Sequence, residues 1–348
     1  MGIVCPYDWS YPGGVKSHIE GLRKSLVRKG IMVEVCAPST RDHADIARAG
    51  SSIGIPFNGS VARISFSRKS KRNLREWVKS SEVEVLHLHE PVIPSLSLLA
   101  LMEKSVPCVG TFHASASRSV GYAVARPILS RFISRLDERI TVSQAARDLV
   151  EPHFPGSFTT IPNGIDLKRF SGAPVDPDLE SLRPFVLFVG RPEPRKGFDV
   201  AVEAMERVRK ENRVNFVVVG RSQREVPDWT VGLGEVSQDR LPSVYAAAHV
   251  YLAPSLRGES FGIVLAEAMA TGTPVVCSDI PGYKEASAGA ALTFETGKSE
   301  EAATKVLAVL EDESLRSDLV RRGKVRAAEL DWDLVSEQIL DTYTRAVS

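Results

Sequence analysis

Two glutamates eight residues apart, Glu259 and Glu267, bracket the stretch Gly258-Glu259-Ser260-Phe261-Gly262-Ile263-Val264-Leu265-Ala266-Glu267. The apolar run Val250 to Pro254 precedes it and reads as a buried parallel strand ending in a turn. A helix is expected next, with Glu259 or Ser260 as N-cap and Ile263, Val264, Leu265, Ala268 and Met269 along it. Gly258, Phe261, Gly262 and Ile263 would then offer free backbone N–H groups at the positive end of the helix, which suits a phosphate. Eight residues make about two helical turns, so the two carboxylates are expected to share a face. A carboxylate at a helix start repels phosphate and suits sugar hydroxyls, whereas one further along can grip a ribose diol.

Other residue groupings point to the same chemistry. Phe185 to Val189 reads as a buried strand that delivers Gly190-Arg191-Pro192-Glu193-Pro194-Arg195-Lys196-Gly197 into a turn before a helix. Arg191 offers a planar fork and Lys196 a point charge, a suitable pair for a pyrophosphate, with Arg195 able to share the role. Basic residues at a helix start are the plainer alternative. Gly13-Gly14 follows the first strand and opens a helix, so backbone can approach a ligand closely there. It is not a GxGxxG fingerprint, and a bare tight turn competes with the ligand reading. His87 and His89 alternate onto one strand face, but no third ligand is spaced for a metal. His87, and His18 inside the first helix, read as structural, and His113 stands at a strand end where ligands bind.

These groups need elements to hold them. A chain of 348 residues exceeds what one core usually serves, so two domains are expected. Strand, Gly-rich turn, helix and strand follow one another from Ile3 to Cys36, a unit of Rossmann type. Further strands read at 61–66, 85–89, 106–112 and 139–142 with helices between, which predicts a parallel sheet with right-handed crossovers. The segment 171–184, rich in Pro, Asp and Ser, reads as a linker, and a second alternating domain follows. Trp332 to Ala346 carries Val335, Ile339 and Tyr343 at a spacing of four, an amphipathic helix.

Composition is that of an ordinary globular protein, with 43% hydrophobic and 25% charged residues. No apolar run approaches the roughly 20 residues needed to span a bilayer, and no charged-then-apolar leader precedes the first strand. A soluble or peripheral, cytoplasmic protein is expected. Cys5, Cys36, Cys108 and Cys277 lack zinc-type spacing and read as buried thiols in a reducing compartment.

The net charge of +1 hides an asymmetry: residues 1–170 hold 23 Lys/Arg against 15 Asp/Glu, a surplus of +8, which leaves −7 for the rest. One domain is therefore expected to meet an anionic surface. Two segments carry the excess. The first holds Arg68, Lys69, Lys71, Arg72 and Arg75 beside Phe66 and Trp77; the second holds Arg118, Arg126 and Arg131 among Val124, Ile128, Leu129, Phe132 and Ile133. Basic residues with an apolar stripe at helical spacing fit an anionic phospholipid bilayer surface. A solvated helix packed on a core is the alternative, and nucleic acid is not expected because no recognition motif accompanies the charge.

Glu259 and Glu267 at that spacing, Gly190-Arg191 followed by Lys196-Gly197, and Ile161-Pro162-Asn163-Gly164-Ile165-Asp166 with Phe170 resemble the motifs of retaining glycosyltransferases of family 4. The resemblance covers nearly the whole chain and implies the GT-B fold. That fold has two Rossmann-like domains with parallel sheets facing across a cleft, and a C-terminal helix crossing back to the first domain. The domains are expected at 1–166 with 331–348, and at 167–330. For the donor site the resemblance implies Gly13, Gly14, Arg191, Lys196, Glu259, Ser260, Phe261, Gly262, Ile263 and Glu267, with Gly234 and Val236 meeting the nucleobase. His113 is implied to line the sugar pocket, its backbone carbonyl near the anomeric carbon, which makes His113, Arg191, Lys196 and Glu259 the implied catalytic set.

Within the family, Cys5-Pro6-Tyr7, Pro12-Gly13-Gly14-Val15, Pro56 to Arg63 and His89-Glu90-Pro91 resemble the enzymes that move mannose from GDP-mannose to the inositol of phosphatidylinositol on the cytoplasmic leaflet. Tyr7, Lys16, Asn58 and Arg63 are then the acceptor residues. Lys16 stands where the pattern has an uncharged polar group, and a cation there can meet the lipid phosphate. No tightly bound cofactor is implied; a divalent cation is allowed, though no ligand cluster is spaced for one. A UDP-sugar with another lipid or small-molecule acceptor, and a non-catalytic nucleotide-binding membrane module, are the rival readings.

Overall fold

The structure is a computed structural model that describes residues 1–57, 60–114, 120–190, 194–220 and 227–348. Asn58, Arg118 and Arg191 lie outside the described residues. The chain divides into two compact units, Met1–Gly164 with Trp332–Ser348, and Ile165–Asp331.

Unit 1 is built from β1 (Gly2–Val4), α1 (Gly14–Arg28), β2 (Glu34–Ala37), β3 (Ala47–Arg48), β4 (Ile53–Phe57), β5 (Ser60–Ile64), α2 (Arg68–Ser80), β6 (Leu86–His89), α3 (Leu96–Glu103), β7 (Cys108–Phe112), α4 (Val120–Ile133), β8 (Glu138–Thr141), α5 (Gln144–Val150) and β9 (Thr159–Thr160). Its seven-stranded sheet has the order β3-β2-β1-β6-β7-β8-β9, and every pairing is parallel. Strand residues alternate between two cores: Ile3 packs with Ile19 and Leu22 of α1, whereas Val4 packs with Leu74, Trp77 and the α3 leucines. A sheet buried on both faces needs apolar residues at successive positions, which is why these strands read as short continuous runs.

One expectation fails here. The strand read at 61–66 is not part of the parallel sheet: β5 pairs antiparallel with β4 in a separate two-stranded ribbon, Ile53 opposite Ile64. Only two residues connect Phe57, the end of β4, to Ser60, the start of β5, too few for the crossover that a parallel pairing needs.

Unit 2 contains α6 (Leu167–Phe170), β10 (Phe185–Val189), α7 (Phe198–Glu211), β11 (Asn215–Val219), β12 (Thr230–Gly234), α8 (Leu241–Ala247), β13 (Val250–Ala253), α9 (Ile263–Thr271), β14 (Val275–Ser278), α10 (Pro281–Ser287), β15 (Leu292–Phe294), α11 (Ser299–Glu311) and α12 (Glu313–Glu329). Its six-stranded parallel sheet runs β12-β11-β10-β13-β14-β15. Phe185 and Leu187 enter one core, Val186 and Phe188 the other. In each sheet the order reverses beside the first strand of the unit, β1 next to β6 and β10 next to β13. Ligands of such sheets bind where the crossovers diverge, beyond the carboxyl ends of the strands.

The last helix, α13 (Trp332–Val347), belongs to unit 1. Trp332, Val335, Ile339 and Tyr343 share a core with Ile3, Ile19 and Leu22. A Cβ on Gly21 would lie 2.1 Å from Trp332 Nε1, so α1 can take the indole against its backbone only with glycine at that turn. Ser25 Oγ lies 2.9 Å from Ser336 Oγ across the same contact, and Arg28 and Lys29 pair with Asp333 and Glu337. The four cysteines are buried and unpaired, and burial pushes the thiols of Cys5, Cys108 and Cys277 up to about 12.

Candidate functional site

In unit 2 the turn after β10 and the loop after β13 come together. Gly197 takes φ +68°, and a Cβ there would lie 1.9 Å from the carbonyl oxygen of Pro254. That approach, with the Leu256 N–H donating to the Arg195 carbonyl at 2.9 Å, seats the turn Pro194–Lys196 beside Glu259. Lys196 Nζ is 2.6 Å from Glu259 Oε1, and Arg195 Nη1 is 3.2 Å from the same oxygen. The Lys196 and Glu259 side chains are only 17% and 14% exposed. A Cβ on Gly282 would come within 2.3 Å of the Glu259 carbonyl, so α10 presses directly under this loop.

The helix begins later than the spacing suggested. α9 starts at Ile263, capped by Gly262 at φ +96°, with no side-chain cap. Glu259 and Ser260 therefore lie in the loop before it, and the two glutamates do not share a helix face. The left-handed Gly262 turns the chain sharply, where a helical residue would have carried the pattern on. Phe261 is buried in the core, and Gly258 takes φ +79° in the exposed loop. The uncapped first turn at Ile263 still presents backbone donors at the positive end of the helix, a place suited to an anion.

Glu267 lies on the partly buried side of α9, where Tyr245 Oη donates to it at 3.2 Å. Burial raises its carboxyl to about 7, with Tyr245 and Arg169 opposing the shift. Gly234 ends β12 at φ +65°, its carbonyl accepting from the Gly220 N–H at 2.7 Å, and Val236 packs against the core beyond it.

In unit 1 the strand ends of β6 and β7 and the start of α1 hold a cluster of histidines. His89 Nδ1 lies 2.8 Å from His113 Nε2, and His18 Nδ1 is 2.8 Å from Asn163 Oδ1. His87 contacts Tyr343 Oη and Thr111 Oγ1, both at 2.6 Å, so it is structural as expected. Burial holds His18 near 4 and His87 near 3; His89 and His113 are also held well below the usual range, so the rings are neutral at pH 7. One nitrogen of each of His18, His89 and His113 lies within 4.8 Å of the others. Strand spacing alone did not reveal this triad, because His18 comes from a helix and His113 from a different strand. Three neutral imidazoles so grouped are of the ligand type that a metal takes, and His89 and His113 share one hydrogen bond.

Glu90, the middle residue of the motif His89-Glu90-Pro91, is tied to this cluster through the His113 backbone. It is 1% exposed and takes φ +49°, a left-handed conformation that costs a side chain about 1–3 kcal/mol. The N–H groups of His113 and Ala114 both donate to its Oε1 at 2.7 Å. Its Oε2 is buried and accepts nothing among the described residues. Burial raises this carboxyl to about 7, against the two amides that lower it.

The first half of the chain, residues 12–169, matches the family model described as Glycosyltransferase Family 4, and residues 176–326 match the model Glycosyl transferases group 1. A phosphatidyl-myo-inositol mannosyltransferase from Mycolicibacterium smegmatis is 37% identical, covering 99% of this chain and 93% of that protein. The protein of the same name from Propionibacterium freudenreichii subsp. shermanii is 33% identical over 99% of this chain and 95% of its own length. This chain belongs to glycosyltransferase family 4. A sucrose-phosphate synthase from Thermosynechococcus elongatus superposes with a TM-score of 0.76 at 20% identity, over 99% of this chain and 98% of that one. With the two parallel Rossmann-like sheets, this likeness places the family 4 enzyme in the GT-B class.

The remaining nominated residues of this glycosyltransferase fall in differing surroundings. Neither Gly13 nor Gly14 takes a left-handed φ, and a Cβ on either would meet nothing within 4 Å. The protein itself therefore does not demand glycine there, which fits a surface kept clear for a ligand. Lys16 is already engaged: Nζ donates to the Trp9 carbonyl at 2.7 Å and lies 3.7 Å from Glu20. Arg63 places its guanidinium 3.9 Å from the Tyr11 ring centroid. Tyr7 bridges to Ile64, and burial beside Glu90 pushes its phenol well up.

The basic helices also divide. In α2 the apolar stripe, Leu74 and Trp77, faces the core, and Glu103 holds Lys71 and Arg75, while Arg72 lies 3.9 Å from Glu76. Arg68 and Lys69 remain exposed beside Phe66. In α4, Leu129 and Ile133 are buried, but Val124 and Ile128 stand 76% and 68% exposed, with Arg126 and Arg131 also exposed. Each stripe is thus at least partly core. No helix among the described residues is long and apolar enough to cross a membrane.

Proposed function

We propose that this glycosyltransferase moves mannose from GDP-mannose to the inositol of phosphatidylinositol at the cytoplasmic face of a membrane, with retention at the anomeric carbon. The full-length likeness to two phosphatidyl-myo-inositol mannosyltransferases is the observation that carries this reading. In unit 2, Arg191, Lys196 and the uncapped start of α9 would stabilise the leaving diphosphate as its charge grows, an effect often worth about 3–4 kcal/mol per donor group. Glu267 would hold the ribose, Glu259 the mannose hydroxyls, and the backbone at Gly234 and Val236 the base. In unit 1, Gly13 and Gly14 would approach the donor, His113 would line the sugar pocket, and Tyr7, Lys16, Asn58 and Arg63 would meet the acceptor. The neutral state of His113 supports a role in shape and hydrogen bonding rather than as a charged acid. Retention without a protein nucleophile leaves the donor phosphate to take the proton of the acceptor hydroxyl. Exposed Val124 and Ile128 with Arg126 and Arg131, and Phe66 with Arg68 and Lys69, support docking on anionic lipid.

Product analysis with GDP-mannose and phosphatidylinositol tests the proposal, with UDP-glucose and UDP-galactose as competing donors. A mannosylated lipid is expected from GDP-mannose only; equal or better transfer from a UDP-sugar would overturn the donor assignment.

A further inference from the structure

We infer that Glu90 is a positioning residue for the His113 segment: its buried carboxylate clamps two consecutive backbone amides and so aims the His113 carbonyl and ring. This inference rests on the proposed role of His113 at the sugar. Three observations on the molecule support it. Glu90 follows directly on β6 and His113 on β7, neighbouring strands whose carboxyl ends lie side by side, His89 opposite Thr111. Both amides donate to the same oxygen of Glu90 at 2.7 Å, and the Glu90 N–H donates in return to the Thr111 carbonyl at 2.8 Å. The loop is therefore tied at both ends. His89, the preceding residue, holds the His113 ring at 2.8 Å, so adjacent residues fix the backbone and the side chain of the same partner.

Packing alone does not explain a glutamate at this position. A residue at φ +49° is most easily glycine or asparagine, and a buried carboxylate with one oxygen unpartnered is poorly placed for stability. Both features persist where the surroundings over-determine them, as at functional sites. What the carboxylate supplies is a single acceptor that draws the amides of His113 and Ala114 toward one point. With both N–H groups turned to Glu90, the peptide planes at 112–114 are fixed, and so is the direction of the carbonyl between those two amides, that of His113.

The test uses the full chain carrying Glu90→Asp and Glu90→Gln. Aspartate withdraws the carboxylate by one methylene, and a misplacement of about 1 Å in a reacting geometry costs on the order of a hundredfold. Assayed at pH 8.5, above the value of about 7 to which burial raises the carboxyl, glutamine keeps an acceptor of the same reach but loses the charge, which roughly halves hydrogen-bond strength and is expected to lower kcat about threefold to tenfold. The KM for GDP-mannose, whose nucleotide is assigned to unit 2, is expected to stay within about twofold in both, since lost positioning shows in kcat rather than in ground-state binding. Hydrogen exchange at the amides of His113 and Ala114 gives a second readout, with a rise of about tenfold expected in Glu90→Asp while the melting temperature holds. Wild-type kcat in Glu90→Asp, or unchanged exchange at both amides, would overturn the inference. Absence of sugar transfer by the unaltered chain would instead sink the functional reading, and the exchange measurement would still decide the clamp.

Discussion

Glu259 and Lys196 meet at 2.6 Å, although one is assigned to a sugar and the other to a diphosphate. The carboxylate therefore occupies the neighbourhood of the cations that an incoming anion would need. Replacing Glu259 with Gln should tighten binding of inorganic pyrophosphate and of GDP, while weakening turnover of the sugar nucleotide. The magnitude follows from the geometry. A charge-assisted hydrogen bond of this kind is worth about 1.5–3 kcal/mol net. Like charges about 5 Å apart repel by roughly 3 kcal/mol at the effective dielectric of a partly exposed site. Either route gives an affinity gain of about tenfold to a hundredfold, since each 1.4 kcal/mol is a factor of ten. Arg195, the second partner of Glu259 at 3.2 Å, loses that ion pair in the same substitution, so a gain at the lower end is still expected if Lys196 relaxes toward solvent. Titration calorimetry of both proteins with pyrophosphate and GDP, and steady-state kinetics with GDP-mannose, separates the two effects. Unchanged or weaker pyrophosphate binding in Glu259→Gln would refute the idea that this carboxylate competes with the diphosphate.

Further outcomes follow from the same structure. Glu267→Ala should weaken GDP if the proposed ribose contact is right; calorimetry showing unchanged GDP affinity would remove Glu267 from the donor site. Gly21→Ala should destabilise unit 1 by about 1–3 kcal/mol through overpacking against Trp332, seen as a lowered melting temperature, whereas Gly14→Ala, facing open space, should leave melting unchanged. Acid should loosen unit 1 before unit 2. His18, His87, His89 and His113 are held below their usual 6.5, so the stability they confer is present above that value and is lost as pH falls through it toward 4. Glu90, raised to about 7 from 4.5, pulls the other way over that interval but is one group against several. Hydrogen-exchange mass spectrometry at pH 7.5 and 5 should show the loss in β6, β7 and α1, and equal protection at both would contradict it. Ile128→Ser with Val124→Ser should reduce sedimentation with anionic liposomes without altering GDP binding; undiminished sedimentation would detach α4 from the membrane proposal.

Much of the site was legible in the chain because its chemistry depends on short-range order. Continuous apolar runs such as Phe185 to Val189 are what a doubly covered parallel strand requires, and the polar residues that follow each run must fall at its carboxyl end. That reasoning located Lys196, Glu259, Glu267 and His113 on strand ends or the elements just beyond them. It failed where a single backbone angle intervened. Gly262 could have sat inside a helix by its spacing, but its left-handed φ delays α9 to Ile263 and moves Glu259 off the face of Glu267. Basic periodicity in α2 was visible, but not that Leu74 and Trp77 face inward or that Glu103, on another helix, holds Lys71 and Arg75.

By itself, then, the order of residues determined two alternating α/β units and nominated the stretches proposed to meet a sugar nucleotide, since both readings arise from neighbours in the chain. Only tertiary structure decided which groups touch: Lys196 with Glu259 from turns 63 residues apart, His18 beside His89 and His113, and Glu90 beneath the His113 peptide. Those contacts join distant segments through sheet order and helix packing. The energy of a buried charge or ring depends on what surrounds it in space, which no local pattern records.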